Sequence, residues 1–155
     1  MITTRQINQR GLAIIKTNVE LKLSASRDPE GELTIGYQHA GRDVAPGKTI
    51  TLDEADRLLL SDLAWVTERV LARVDIELND NELSALVCLV HGIGMRRFSG
   101  STLLKLLNNG EKTRAAEAFL WLNDTDSEDP RTITFLTSLR RRDERALFVC
   151  PPVDQ

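Results

Sequence analysis

The chain has 155 residues, of which 41% are hydrophobic and 28% charged, and its net charge is −3. That size and mix describe one globular domain with a sizeable core. The acidic balance argues against nucleic acid as a main partner, because phosphate binding needs a basic excess. No signal-peptide core and no run of about 20 apolar residues is present, so no membrane anchor is expected in this chain.

Leu12, Ile15, Val19 and Leu23 recur at steps of three, four and four, which predicts a first helix over about 6–23. Gly11 lies early in it as a mild helix cost. Between Ser24 and Pro46 the texture changes. Gly31, Gly36, Gly41 and Pro29 punctuate short segments, and Leu33, Ile35 and Tyr37 alternate, so a small β-hairpin lobe over about 24–46 is expected, with Asp28-Pro29-Glu30-Gly31 as its turn.

The remainder, about 51–148, reads as a helical lobe. Thr51 to Glu54 is a capping box opening a helix with Ala55, Leu59, Leu63, Val66, Val70 and Val74 on one side. Asn79 to Glu82 repeats the signal for a helix from Leu83 to about His91, ended by Gly92 and Gly94. Ser101 opens a leucine-rich helix closed by Asn108-Asn109-Gly110. Thr113–Leu122 is the next helix, and a last one covers about Thr134–Phe148. A hairpin followed by helices is an α+β pattern with the strands at one end.

The acidic stretch Asp124, Asp126, Glu128 and Asp129 reads as a solvated loop, and Arg140, Arg141, Arg142 and Arg145 as a solvated helix face. Cys88 packs as a small hydrophobe. With Cys150 it allows at most one bridge and leaves the redox compartment open. His39 and His91 have no metal-ligand spacing, and neither metal nor cofactor is expected. Trp65 and Trp121 fall on apolar helix faces and are expected in the core, as is a partly buried His91.

The segment from Arg27 to His39 resembles the active-site hairpin of the bacteriophage-type lysozymes, glycoside hydrolase family 24. Pro46-Gly47-Lys48-Thr49-Ile50-Thr51, Asn79 to Gly94, Ser101-Thr102-Leu103-Leu104 and Arg140 to Phe148 resemble later elements of that family in the same order. The resemblance implies a lysozyme-like α+β fold and a peptidoglycan glycan as ligand. It also implies a soluble protein of a bacterial host's cytoplasm, one released to the periplasm without a classical signal, or a virion component.

Family members carry a catalytic Glu, then an Asp and a Thr. By resemblance Asp28 and Thr34 are the Asp and Thr, and the Glu position is Val19. Asn18, Glu20, Ser26, Gln38 and Gly92 depart from the family pattern as well. Glycoside hydrolysis needs an acid to protonate the leaving oxygen, and losing one costs about 10²–10⁴-fold in rate.

Glu20 is the nearest substitute acid. One helical step turns it about 100° away from Val19 and toward solvent. Tyr37 and His39 are the implied glycan-binding residues, and His39 is also a candidate support for Asp28. Each retained residue has a plain structural reading too: Asp28 as a turn former before Pro29, Thr34 as a strand former, His39 as a hydrogen-bond partner.

The leading expectation is a lysozyme-like protein with impaired or absent muramidase activity that binds glycan or an unidentified protein partner. The alternative is a working endolysin that uses a non-standard acid such as Glu20.

Overall fold

The structure is a computed structural model and describes residues 5–122, 128–129, 131 and 133–152. Helix α1 (Gln9–Asn18) starts at Asn8, whose side chain accepts a hydrogen bond from the Gly11 N–H. It ends at Asn18 rather than near Leu23. The Asn18 side-chain amide donates to the Ile14 carbonyl at 2.8 Å, and Val19 is already extended, with φ −113° and ψ 127°.

The chain leaves the helix because the following residues find sheet partners. Lys22–Arg27 is strand β1, paired antiparallel with β2 (Leu33–Gly36), which pairs with β3 (His39–Ala40). Leu23 is therefore off the apolar stripe and 42% exposed. Its carbonyl accepts from the Ile50 N–H.

Helix α2 (Leu52–Arg73) begins at the expected cap, with Thr51 Oγ1 accepting from the Glu54 N–H. Ala55, Leu59, Leu63, Val66 and Val70 are buried along it, as their spacing predicts. At about 1.5 Å per residue, its 22 residues are long enough to connect the sheet to the helical part. Trp65 does not join that core. It is 51% exposed.

Helix α3 (Asp80–Ile93) opens with a complete Asn79–Glu82 capping box. It continues through Gly92 and stops at Gly94, whose φ of 88° suits only glycine well. A short helix α4 (Met95–Ser99) follows, which no sequence signal announces. Then come α5 (Thr102–Asn108) and α6 (Lys112–Ala118), the latter running into a 3-10 turn at Phe119–Trp121, and finally α7 (Phe135–Val149).

Two charge readings change. Arg141 and Glu144 on α7 are fully buried, while Arg142 is exposed, so the basic run is only in part a solvated face. Glu128 accepts from the Thr102 N–H and hydroxyl at the start of α5, and so acts as a cap. Asp124 and Asp126 lie outside the described residues. Both cysteines are free. Cys88 donates to the Gly11 carbonyl, and burial pushes its thiol up.

Helix α3 packs against α1, α2 and α7, and residues 81–90 are all buried. The approach of α1 depends on Gly11. A Cβ there would stand 2.6 Å from the Ile7 side chain and 3.1 Å from the Ser84 Cβ. Gly11 is thus a close-approach residue as well as a mild helix cost. Gly11→Ala is expected to destabilise the fold by about 1–3 kcal/mol through overpacking. Thermal unfolding checks this, and an unchanged melting temperature would contradict it.

Candidate functional site

The candidate site is built from the end of α1 and the β1–β2 hairpin. Val19 caps α1, donating its N–H to the Ile15 carbonyl at 2.9 Å, and its side chain is 5% exposed. Glu20 is exposed. The two side chains diverge because this stretch is extended, where neighbours point to opposite faces. The helical step anticipated from the sequence is not the reason. The separation is wider than a helix would give.

Asp28 sits in the turn between β1 and β2. Its Oδ1 accepts from the Glu30 and Glu32 N–H groups at 2.9 and 2.8 Å. Its own N–H donates to the Glu32 carbonyl, and its carbonyl accepts from Gly31, whose φ is 86°. Asp28 therefore builds the turn. Its Oδ2 has no partner among the described residues and remains available for other contacts.

Thr34 lies in β2, 8% exposed, opposite Ser26 on β1. Directly opposed residues share a face of the sheet, so the two side chains are cross-strand neighbours. Ser26 Oγ is buried and unpartnered among the described residues. A water held there would satisfy it.

The two implied glycan-binding residues are placed differently. Tyr37 is 8% exposed, with the Lys16 ammonium 5.7 Å from its ring centroid. It offers a sugar little surface. His39 directs Nδ1 to Asp62 at 2.8 Å and Nε2 to Asp43 at 3.0 Å. Both ring nitrogens are committed, and they tie the sheet to α2. His39 does not support Asp28, because its partners lie on the loop after β3 and on α2.

A second polar cluster escaped the sequence reading. Arg140 Nε and Arg141 Nη1 each donate to the Glu144 carboxylate at 3.0 Å. Arg140 also donates to the Cys88 carbonyl at 2.9 Å, and its Nη2 stands 3.5 Å from His91 Nδ1. His91 Nε2 donates to the Tyr37 carbonyl at 3.2 Å. Gly92 makes room for this, since a Cβ there would meet the Arg140 guanidinium at 3.1 Å. The i,i+3 and i,i+4 spacing of Arg141, Arg140 and Glu144 was the available signal.

The histidines differ electrostatically. Burial pushes His39 down, but the hydrogen bonds to Asp62 and Asp43 outweigh it and leave its pKa raised. Burial lowers His91 to about 4, with repulsion from Arg140 adding to the effect. Among the described residues no His, Cys, Asp and Glu cluster suits a metal ion.

Linkage then gives opposite signs. The His39 contribution is complete below about pH 6.5, the unfolded value, and is lost as pH rises through the raised folded value. The His91 contribution is present at neutral pH. It is lost as pH falls from about 6.5 toward the folded value, because the unfolded chain takes up a proton first. Urea unfolding against pH is expected to show His39→Asn flattening the alkaline flank and His91→Asn the acid flank. Identical pH profiles for the variants and the wild type would contradict this.

Gln38 has φ 66°, and it is the one non-glycine residue with positive φ among the described residues. Left-handed backbone costs an L-residue about 1–2 kcal/mol. Gln38→Gly is expected to raise the melting temperature by about 2–4 °C. A lower melting temperature would show that the Gln side chain offsets the strain.

Comparison with known proteins agrees with the geometry. The sequence profile of the phage lysozyme family matches residues 18–145. The endolysin of Salmonella phage P22 is 38% identical over 148 residues, covering 93% of this chain and 98% of that protein. The endolysin of Bacillus phage PZA is 32% identical and is covered over 55% of its length.

Among solved structures, the muramidase domain of SpmX from Asticaccaulis excentricus superposes with a TM-score of 0.83 at 32% identity, covering 95% of this chain and 99% of that one. A P22 lysozyme mutant superposes with a TM-score of 0.77 at 38% identity, covering 97% of this chain and 100% of that one. A profile match over most of the chain, an endolysin relative matched over nearly its whole length and this superposition place the chain in the phage lysozyme family.

Proposed function

We propose that this chain binds the glycan strands of peptidoglycan and hydrolyses them poorly, because Val19 stands where the family resemblance puts the proton donor. The carrying observation is the burial of Val19 at 5% exposure, while the next residue, the carboxylate Glu20, is exposed. Valine has no proton to transfer to a leaving oxygen.

On this reading the hairpin keeps the water-positioning half of the chemistry. Asp28 Oδ2 and the Thr34 hydroxyl supply an acceptor and a donor for an attacking water. The transition state still lacks protonation of the leaving oxygen, which glycoside hydrolysis requires.

A second reading is favoured by the relatives themselves. The P22 protein is an endolysin matched over 98% of its length, which suits a working muramidase with an unconventional acid such as Glu20. Turbidity of permeabilised Gram-negative cells separates the two. The wild type is expected to clear the suspension slowly or not at all, and Val19→Glu to raise the rate by about 100-fold or more. A buried carboxyl at position 19 would be held protonated by its poor solvation, as an acid catalyst must be. Rapid clearing by the wild type, abolished by Glu20→Gln, would overturn the proposal in favour of the second reading.

A further inference from the structure

The imidazole of His39 is held between two carboxylates. Nδ1 faces Asp62 of α2 at 2.8 Å, and Nε2 faces Asp43, in the loop after β3, at 3.0 Å. Only the protonated ring has an N–H for each, because a neutral imidazole carries one donor and one acceptor. Deprotonation sets one nitrogen lone pair against a carboxylate oxygen at hydrogen-bond distance, which is repulsive. One of the two contacts must then break.

Burial decides which. Asp62 lies in the middle of a helix with about a third of its side chain exposed, whereas Asp43 lies in a loop and is half exposed. Losing a partner costs a carboxylate more where water replaces it less easily. The remaining proton therefore stays on Nδ1 with Asp62, and Asp43 is set free.

The turn that carries Asp43 is shaped for the contact. A Cβ at Gly41 would stand 2.8 Å from Asp43 Oδ1, so a side chain there would push the carboxylate away from the ring. Just past the turn Val44 is buried, and its N–H donates to the Gly41 carbonyl at 3.1 Å. The movable piece is thus short, from Gly41 to Asp43, between β3 and an anchored valine. Asp62 and Asp43 are the charged groups that face the ring. Lys48 stands behind Asp43 and donates to its carbonyl at 2.9 Å, and Ile35, opposite His39 on β2, carries no charge.

We propose that His39 and Asp43 form a proton-dependent latch: the imidazolium holds the Gly41–Asp43 turn against β3, and the neutral imidazole keeps Asp62 and releases Asp43. The hydrogen bond from His39 holds the Asp43 carboxyl below its ordinary value, so the ring is the group that titrates. The latch is shut in acid and opens as pH rises through the raised value of His39. Ala40, at the base of the turn, and Asp62 both line a cavity of about 340 Å³. Opening the latch loosens one edge of that cavity and leaves its Asp62 wall in place.

The test is nuclear magnetic resonance of the full chain across the His39 titration. It reads the ring nitrogens and the hydrogen exchange of the Val44 amide, corrected for the intrinsic rate. In the wild type the neutral ring is expected as the Nδ1–H tautomer. Protection of Val44 is expected to fall about three- to fivefold on deprotonation, the scale of a half-exposed charged pair. Linkage makes the closed latch strengthen proton binding by a similar factor, so Asp43→Asn is expected to weaken proton binding at His39 about as much. The asparagine amide donates to a bare Nε2 or accepts from Nε2–H, so Val44 protection in this variant is expected not to change with pH. Gly41→Ala, which crowds Asp43 off the ring, is expected to weaken proton binding in the same direction.

A neutral wild-type ring with its proton on Nε2, or Val44 protection that stays constant through the wild-type titration, would overturn the latch. So would an Asp43→Asn variant, folded by circular dichroism, whose His39 binds its proton as tightly as the wild type.

Discussion

Ten consecutive buried residues on α3, from Asn81 to Val90, set the terms for the rest of the molecule. A helix enclosed on every side must be covered by three neighbours, and α1, α2 and α7 do this. Each polar group carried inside must also find a partner. The Ser84 hydroxyl accepts from the Asn8 N–H, Asn81 donates to the Cys150 and Pro151 carbonyls, and Glu82 closes the cap and receives Lys112. These bonds lock the beginning of α1 and the end of α7 onto one axis, and so fix the direction in which α1 leads to the hairpin.

Elements governed by local chemistry were legible in the sequence. The Thr51 and Asn79 caps and the apolar stripe of α2 depend on residues within one helical turn of each other, and the structure has them where spacing puts them. The end of α1 was not legible, because Leu23 keeps the helical period by coincidence while its backbone is claimed by Ile50, far along the chain.

The α7 arginines misled for a related reason. A charged run is ordinarily solvated, but Arg141 is sealed by Glu144 and the Leu122 carbonyl, and that pairing is tertiary as much as local. Trp65 erred in the opposite direction, toward solvent. Of the candidate site, Asp28, Thr34 and the exposure of Glu20 were foreseeable. The commitment of both His39 nitrogens was not, since Asp62 lies on another element.

The polar groups of the hairpin end are divided between holding the structure and remaining available. Asp28 commits one carboxylate oxygen to its turn, and His39 commits Nδ1 to joining sheet to helix and Nε2 to the loop after β3. What remains without a partner among the described residues is narrow: Asp28 Oδ2 and the buried Ser26 hydroxyl.

The burial of Val19 has a consequence for how such a protein changes over time. A site dry enough to keep a carboxylic acid protonated is also one that a hydrocarbon fills with a gain in stability. On the proposed reading, exchanging the acid for valine relieves the scaffold of a polar group it had to tolerate for the sake of chemistry. Every later substitution accepted on that firmer background makes the reverse exchange more disruptive. Loss of turnover at this position would then behave as a ratchet, driven by folding and indifferent to whether the new binding role confers any advantage.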